Sequence, residues 1–357
     1  MSSQYLAHME PKISNLALLE TEIVPLPATI TAHNIVGVSR LRCPDNMSSP
    51  ASPFSPENAE AYVKWRMIKL QNYPLNPEAL RVEVDDPRAL SGTEQRRMWQ
   101  VCRKTNMVIY ASRLGGLADK QISRRLGEQF GLARLDSNLL ADEDAVTSLQ
   151  VVPEKSGRGY IPYSNRRLLW HTDGYYNPPE RRVHAFVLHC VSPAARGGEN
   201  ALLDPEIAYL TLRDENPEYI RTLMAPDALT IPANTEEGGE SRPAQTGPVF
   251  SIDPVTGSLH MRYTARTRSI EWKQDAATQR AVQALEQLLA SGSPYVFQYR
   301  LAAGEGLLCN NVLHNRTEFA DEVDKGITRL IYRARYYDRI RGTELNEHLE
   351  LSDPCFI

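Results

Sequence analysis

The stretch RRLLWHTDGYYNPPE, Arg166 to Glu180, places a histidine and an aspartate two residues apart, then Gly174, two tyrosines and a double proline. On a strand, residues i and i+2 point to the same side, so His171 and Asp173 share a face. Gly and Pro then stop the strand. An imidazole and a carboxylate at a strand end can hold a metal. The commoner use of such a pair is a hydrogen bond inside a turn, so the rest of the chain has to decide between the two.

At 357 residues, 42% hydrophobic and 24% charged, the chain has the composition of a globular protein with a large core. A formal net charge of -4 gives no basic footprint for nucleic acid. No apolar run approaches the ~20 residues of a bilayer span, so no membrane partner is expected. The first residues lack a basic region followed by an apolar block, which argues against a secretory signal. Cys43, Cys102, Cys190, Cys309 and Cys355 are scattered and contain no C-x-x-C pair. That pattern speaks against a zinc knuckle or a disulfide scaffold and for a reducing cytoplasm.

Residues 1–75 read as an N-terminal extension, with an irregular Pro/Ser-rich part at 43–60. Its last segment, SPENAEAYVKWRMIKLQ, reads as a helix capped by Ser55, with Ala61, Trp65 and Ile68 on one face. Residues 76–345 form the main domain and 346–357 a tail. ALRVEVDD is a strand, SGTEQRRMWQVCRKT a helix capped by Thr93, NMVIYAS a buried strand, and ADKQISRRLGEQFG a helix ended by Gly131. After His171 come short strands between Gly/Pro loops, the pattern of an antiparallel sandwich or barrel. Two helical inserts interrupt them, one broken at Pro217 and one ending at Gly292. The long polar loop 233–248 is a candidate mobile lid.

Eight histidines are present. His8 and His348 lie near the termini and His33 lies in the extension. His184 and His189 have odd spacing, so they face opposite ways on a strand. His260 has no acid beside it. His171 remains, with His314 at the end of the apolar run in GEGLLCNNVLHNRTEF. Fifteen residues on, Arg329 and Arg333 share one face of TRLIYRARYYDR, about 13 Å apart at ~3.3 Å per residue. No acid lies on that face before Asp338, so Arg333 calls for an anion of its own. Arg335, on the same face, is expected to reach solvent. Two histidines and one carboxylate leave three metal positions open, as in non-haem iron(II) oxygenases. An inward Arg329 would suit a dicarboxylate co-substrate.

Taken together, WHTDG, GGEN, LHNRTEF and RLIYRA resemble the taurine dioxygenase / clavaminate synthase-like family of iron(II)- and 2-oxoglutarate-dependent dioxygenases, over roughly residues 80–340. The resemblance implies a mainly β fold with flanking helices, the double-stranded β-helix or jelly roll. It implies His171, Asp173 and His314 as iron ligands and Arg329 as the partner of the distal carboxylate of 2-oxoglutarate. Asn200 falls where many members carry a hydroxyl that touches the same carboxylate, and an amide can donate that bond. Arg333 sits where some members hold an acidic substrate group. The implied reaction is oxidative decarboxylation of 2-oxoglutarate with O2, coupled to hydroxylation or a related oxidation of a small, anionic substrate. A zinc hydrolase-like enzyme and a non-catalytic jelly-roll binding protein are the alternative readings. The oligomeric state stays open, a homo-oligomer included.

Overall fold

The computed structural model describes residues 52–136, 145–152, 161–234 and 242–345, all within the unit Asn46–Ile357. Most of the expected extension, the tail and the middle of the 233–248 loop lie outside the described residues. Two sheets make the jelly roll. The larger has the strand order Arg81–Val84, Met107–Ser112, Glu305–Cys309, Ala185–Ser192, Leu330–Tyr336, Thr147–Leu149. Its first pair is parallel and the others are antiparallel. The smaller runs Phe297–Tyr299, Asn200–Leu203, Leu313–Arg316, Leu168–His171, all antiparallel.

The large sheet is buried on both faces, which is why its strands read as near-continuous apolar runs. Phe186, Leu188, Cys190, Leu307 and Ile331 face one core. Their alternates Val187, Leu308, Tyr332, Ala334 and Tyr336 face the other, beneath the helices Gly92–Thr105 and Gln121–Gln129. Odd-numbered residues of Leu330–Tyr336 therefore point between the sheets, and this is the face that carries the arginines. The Pro217 break separates two real helices, Pro205–Glu215 and Pro217–Leu223. The second insert, Ala276–Ala290, ends just before Gly292 at φ +67.

Several local expectations need correction. The first described helix is Ala59–Leu70 and its cap is Asn58, whose side chain accepts from Ala61 N. Ser55 instead donates to Glu57 at 2.9 Å. The helix buries Tyr62, Trp65 and Lys69, while Ile68 is exposed. Lys69 draws it inward: its Nζ lies 2.7 Å from Asp204 and 2.6 Å from Glu206 at the start of Pro205–Glu215. Residues from Phe54 to Tyr73 thus join the main core. The next helix is capped by Ser91, not Thr93, through a reciprocal capping box with Glu94. Part of the expected loop, Gln245–Gly247, is a strand paired with Leu229–Ile231. Among the described residues, no helix is long and apolar enough to cross a membrane.

Candidate metal centre

His171 ends its strand and pairs directly with His314 of the neighbouring strand, with ring centroids 4.2 Å apart. Thr172 then holds Tyr263 by two backbone contacts, N to O at 3.0 Å and Oγ1 from Tyr263 N at 3.2 Å. Asp173 follows, and Gly174 turns the chain at φ +66. A Cβ on Gly174 would lie 2.6 Å from Val183 Cγ2, so glycine is required by both backbone and space. Asn311, itself left-handed at φ +46, clamps this turn. Its Oδ1 accepts from Asp173 N at 2.8 Å, and its Nδ2 donates to Asp173 O at 2.9 Å and Val183 O at 2.7 Å.

The ligand atoms of His171, Asp173 and His314 all lie within 4.8 Å of one another, and all three residues are buried. Nδ1 of His171 faces Leu169 O at 2.9 Å, and Nδ1 of His314 faces Val312 O at 2.9 Å. A carbonyl only accepts, so each Nδ1 carries the proton and each Nε2 keeps its lone pair for a metal. Burial, reinforced by His314, lowers His171 to about 3, and burial lowers His314 as well. Burial alone would raise Asp173, but the guanidinium groups of Arg333 and Arg335 outweigh it and hold the carboxyl below its usual range. Two neutral imidazoles and one carboxylate are the protonation states a divalent cation needs.

Arg333 corrects the sequence reading. Its Nη1 lies 3.1 and 3.3 Å from the two oxygens of Asp173. The acid that Arg333 lacks on its own strand arrives from across the barrel, so its need for a substrate anion falls away. Arg335 is corrected too. It is buried rather than solvent-facing, pairs with Asp136, and donates to Tyr176 Oη at 3.1 Å.

Arg329 is different. It is buried, yet among the described residues no carboxylate pairs with its guanidinium, and its Nη1 has no hydrogen-bond partner. Burial pulls it down to about 10. Its backbone N–H, not its side chain, reaches Asp321 at 3.0 Å. Arg329 and Asn200 line one cavity, with Gly197, Gly198 and Arg300. Gly197 is obligatory: at φ +72, a Cβ there would sit 2.2 Å from Glu318 O. Asn200 donates through Nδ2 to Asn315 O at 2.9 Å. A buried cation paired with no carboxylate among the described residues, in a cavity with Asn200, which bonds the neighbour of His314, is what a bound dicarboxylate would answer, so the residues present fit both iron and 2-oxoglutarate.

Asn311 and Arg316 escaped the sequence reading. The Asn310–Asn311 pair just before His314 was the only signal for the clamp. Arg316, two residues past His314 on its strand, donates to Ser164 O at 2.9 Å and to Arg166 O, anchoring the segment that leads into the His171 strand. Its guanidinium carbon lies 4.7 Å from the Phe319 ring centroid, and that of Arg329 lies 5.1 Å from the same ring.

Residues 70–335 match the family model described as taurine catabolism dioxygenase TauD, TfdA family. The chain belongs to that family. The family is one of iron(II)- and 2-oxoglutarate-dependent dioxygenases, and it agrees with the resemblance carried by the four motifs. A uridine-5'-phosphate dioxygenase of Amycolatopsis sp is 30% identical over 184 residues, 49% of this chain and 62% of that protein. A protein of the same description from Streptomyces sp is 31% identical over 217 residues, 58% of this chain and 75% of that protein. The chain thus spans less than two thirds of the first relative. The solved non-heme iron oxygenase OrfP, in complex with Fe and alpha-ketoglutaric acid, shares the fold at 16% identity and a TM-score of 0.50, covering 69% of this chain and 80% of that chain. This TauD/TfdA member therefore has the jelly-roll fold that its motifs implied.

Proposed function

We propose that the protein is an iron(II)/2-oxoglutarate-dependent dioxygenase acting on a small phosphorylated substrate of the nucleoside 5'-phosphate class. The observation that carries the reading is the convergence of His171, Asp173 and His314, together with a buried Arg329 whose guanidinium pairs with no carboxylate among the described residues and which shares a cavity with Asn200. When bound, iron(II) with 2-oxoglutarate supplies the oxidising chemistry, in which decarboxylation of the co-substrate is coupled to oxidation of a substrate C–H bond.

The chain's own residues supply the rest. His171 and His314 present unprotonated Nε2 atoms, fixed in orientation by Leu169 O and Val312 O. Asp173 is held ionised by Arg333, and its backbone is fixed by Asn311. Arg329 holds the distal carboxylate of 2-oxoglutarate, with Asn200 beside it in the same cavity. Three donors on one side leave open positions for co-substrate and O2. The substrate class rests on the two uridine-5'-phosphate dioxygenases, which support a phosphate-bearing small molecule.

The test is succinate formation and oxygen consumption with iron(II) and 2-oxoglutarate, with and without a panel of nucleoside 5'-phosphates, small acids and amino acids. Stimulation by a nucleoside 5'-phosphate is the expected result. Stimulation only by unphosphorylated compounds would reject the substrate class, and no succinate under any condition would reject the dioxygenase.

A further inference from the structure

Beside the metal loop lies a second group of chemistry-bearing residues that the dioxygenase reaction does not use. His184 and His260 lie in ring contact, with centroids 5.1 Å apart and planes tilted by 49°. Arg182 precedes His184 by two residues, and Arg262 follows His260 by two. All four are half-buried, so they are partly stripped of water yet still reachable. Both arms are tied to the metal ligands. Val183, between Arg182 and His184, accepts from the Asn311 amide that also holds Asp173. Tyr263, next to Arg262, exchanges hydrogen bonds with Thr172, which lies between His171 and Asp173. Phe186, two residues beyond His184, has its ring 5.0 Å from that of His314.

The two guanidiniums of this group form no direct ion pair among the described residues. His260, pushed well below its ordinary value by burial, has His184, Arg182, Arg262 and Arg339 as its other influences, every one cationic or imidazole. Among the described residues, Arg262 donates to the carbonyls of Gln245 and Leu229, at 3.3 Å each, and its buried Nε has no partner. Burial lowers it to about 10, and Arg182 pushes the same way. Asp253 acts on both Arg182 and His184, and Glu180 on Arg182, but neither acid forms an ion pair with Arg182 among the described residues. Asp253 commits its Oδ1 to the turn, accepting from Val255 N, Thr256 N and Thr256 Oγ1. Two half-buried guanidiniums that repel each other are costly unless an anion meets them.

We propose that Arg182, His184, His260 and Arg262 form a binding site for a phosphate group. A tetrahedral dianion suits this set, because guanidinium forks donate to two oxygens at once and a neutral imidazole still offers one N–H. Asp253 keeps its negative charge near Arg182 and His184, so the two guanidiniums have to outweigh it for the anion to bind. The site itself stands on these residues. Only the source of the phosphate, a substrate monoester rather than free phosphate, rests on the substrate class proposed above.

The experiment is calorimetric titration of the full chain, loaded anaerobically with iron(II), with inorganic phosphate, uridine 5'-phosphate and uridine. Arg182→Gln is the first variant, because among the described residues the Arg182 side chain makes no hydrogen bond or ion pair whose loss would unfold the protein. His260→Gln is the second. The visible band formed with 2-oxoglutarate serves as the folding and metal-site control. The expected result is phosphate binding weakened tenfold or more in both variants with the band unchanged. If uridine 5'-phosphate weakens in parallel and uridine does not, the substrate supplies the phosphate. If only inorganic phosphate weakens, the site takes free phosphate. Absence of phosphate binding in the unaltered protein, or binding that both variants retain, overturns the proposal. Failure of every nucleoside 5'-phosphate to support turnover would reject the substrate class and leave the phosphate titration standing.

Discussion

Arg333 Nη1 lies between the two carboxylate oxygens of Asp173, at 3.1 and 3.3 Å, inside the barrel. This buried cation is the hydrogen-bonding partner of the acidic residue of the metal-donor set, and Arg335 adds to its field. Replacing Arg333 with Met should leave that carboxylate buried and unpaired, at a cost of about 3–5 kcal/mol. Chemical unfolding of the metal-free variant should show the loss, and iron(II) should restore part of it by supplying a new counter-charge. A variant as stable as the parent would mean that Arg335 or solvent, not Arg333, balances Asp173.

Asn311 makes three hydrogen bonds to the turn that carries Asp173. Asn311→Ala should strand the buried Asp173 amide and force alanine into a left-handed backbone, costing roughly 2–4 kcal/mol. The melting temperature should fall by several degrees and iron(II) affinity should drop with it. An unchanged iron(II) affinity would show that the clamp does not position the ligand.

Arg329→Ala removes the cation facing the proposed co-substrate. Loss of one partner of such a charge-assisted pair costs about 2–5 kcal/mol, roughly thirtyfold or more in affinity. Titration of 2-oxoglutarate should show this while iron(II) binding stays near normal. Equal 2-oxoglutarate affinity in the variant would assign the anchor to another residue.

The acid side of the pH profile also follows. Burial holds His184 at about 4, against an ordinary value near 6.5. The folded state keeps this histidine neutral while the unfolded chain takes up a proton, so stability falls as pH drops from about 6.5 to about 4, by about 1.4 kcal/mol per unit. His171, at about 3, acts in the same direction. In phosphate-free buffer, denaturation midpoints measured between pH 7 and pH 4 should decline, and His184→Gln should flatten the slope. An identical slope in the variant would contradict the assignment.

What the sequence made legible follows from range. His171, Asp173 and His314 could be read because strand alternation and motif spacing are local, and the barrel brings their strands into register. The inward face of Arg329 and Arg333 was legible for the same reason. The partner of Arg333 was not, because it lies 160 residues away, in the turn just past the strand Leu168–His171. Asp136, the partner of Arg335, lies beyond the reach of a single-strand argument as well. Helix starts shifted by a few residues because several Ser, Asn and Thr side chains could each have capped, and packing of Trp65 and Lys69 chose among them. The His184–His260 contact joins segments about seventy-six residues apart, so neither histidine suggested the other.

The central claim is that His171, Asp173 and His314 form an iron(II) centre that binds 2-oxoglutarate beside Arg329. The most direct measurement is the visible absorption of the protein under anaerobic conditions, as iron(II) and then 2-oxoglutarate are added. The account predicts a weak charge-transfer band in the parent that is absent in His171→Ala and in His314→Ala. A band that persists in both variants would contradict it.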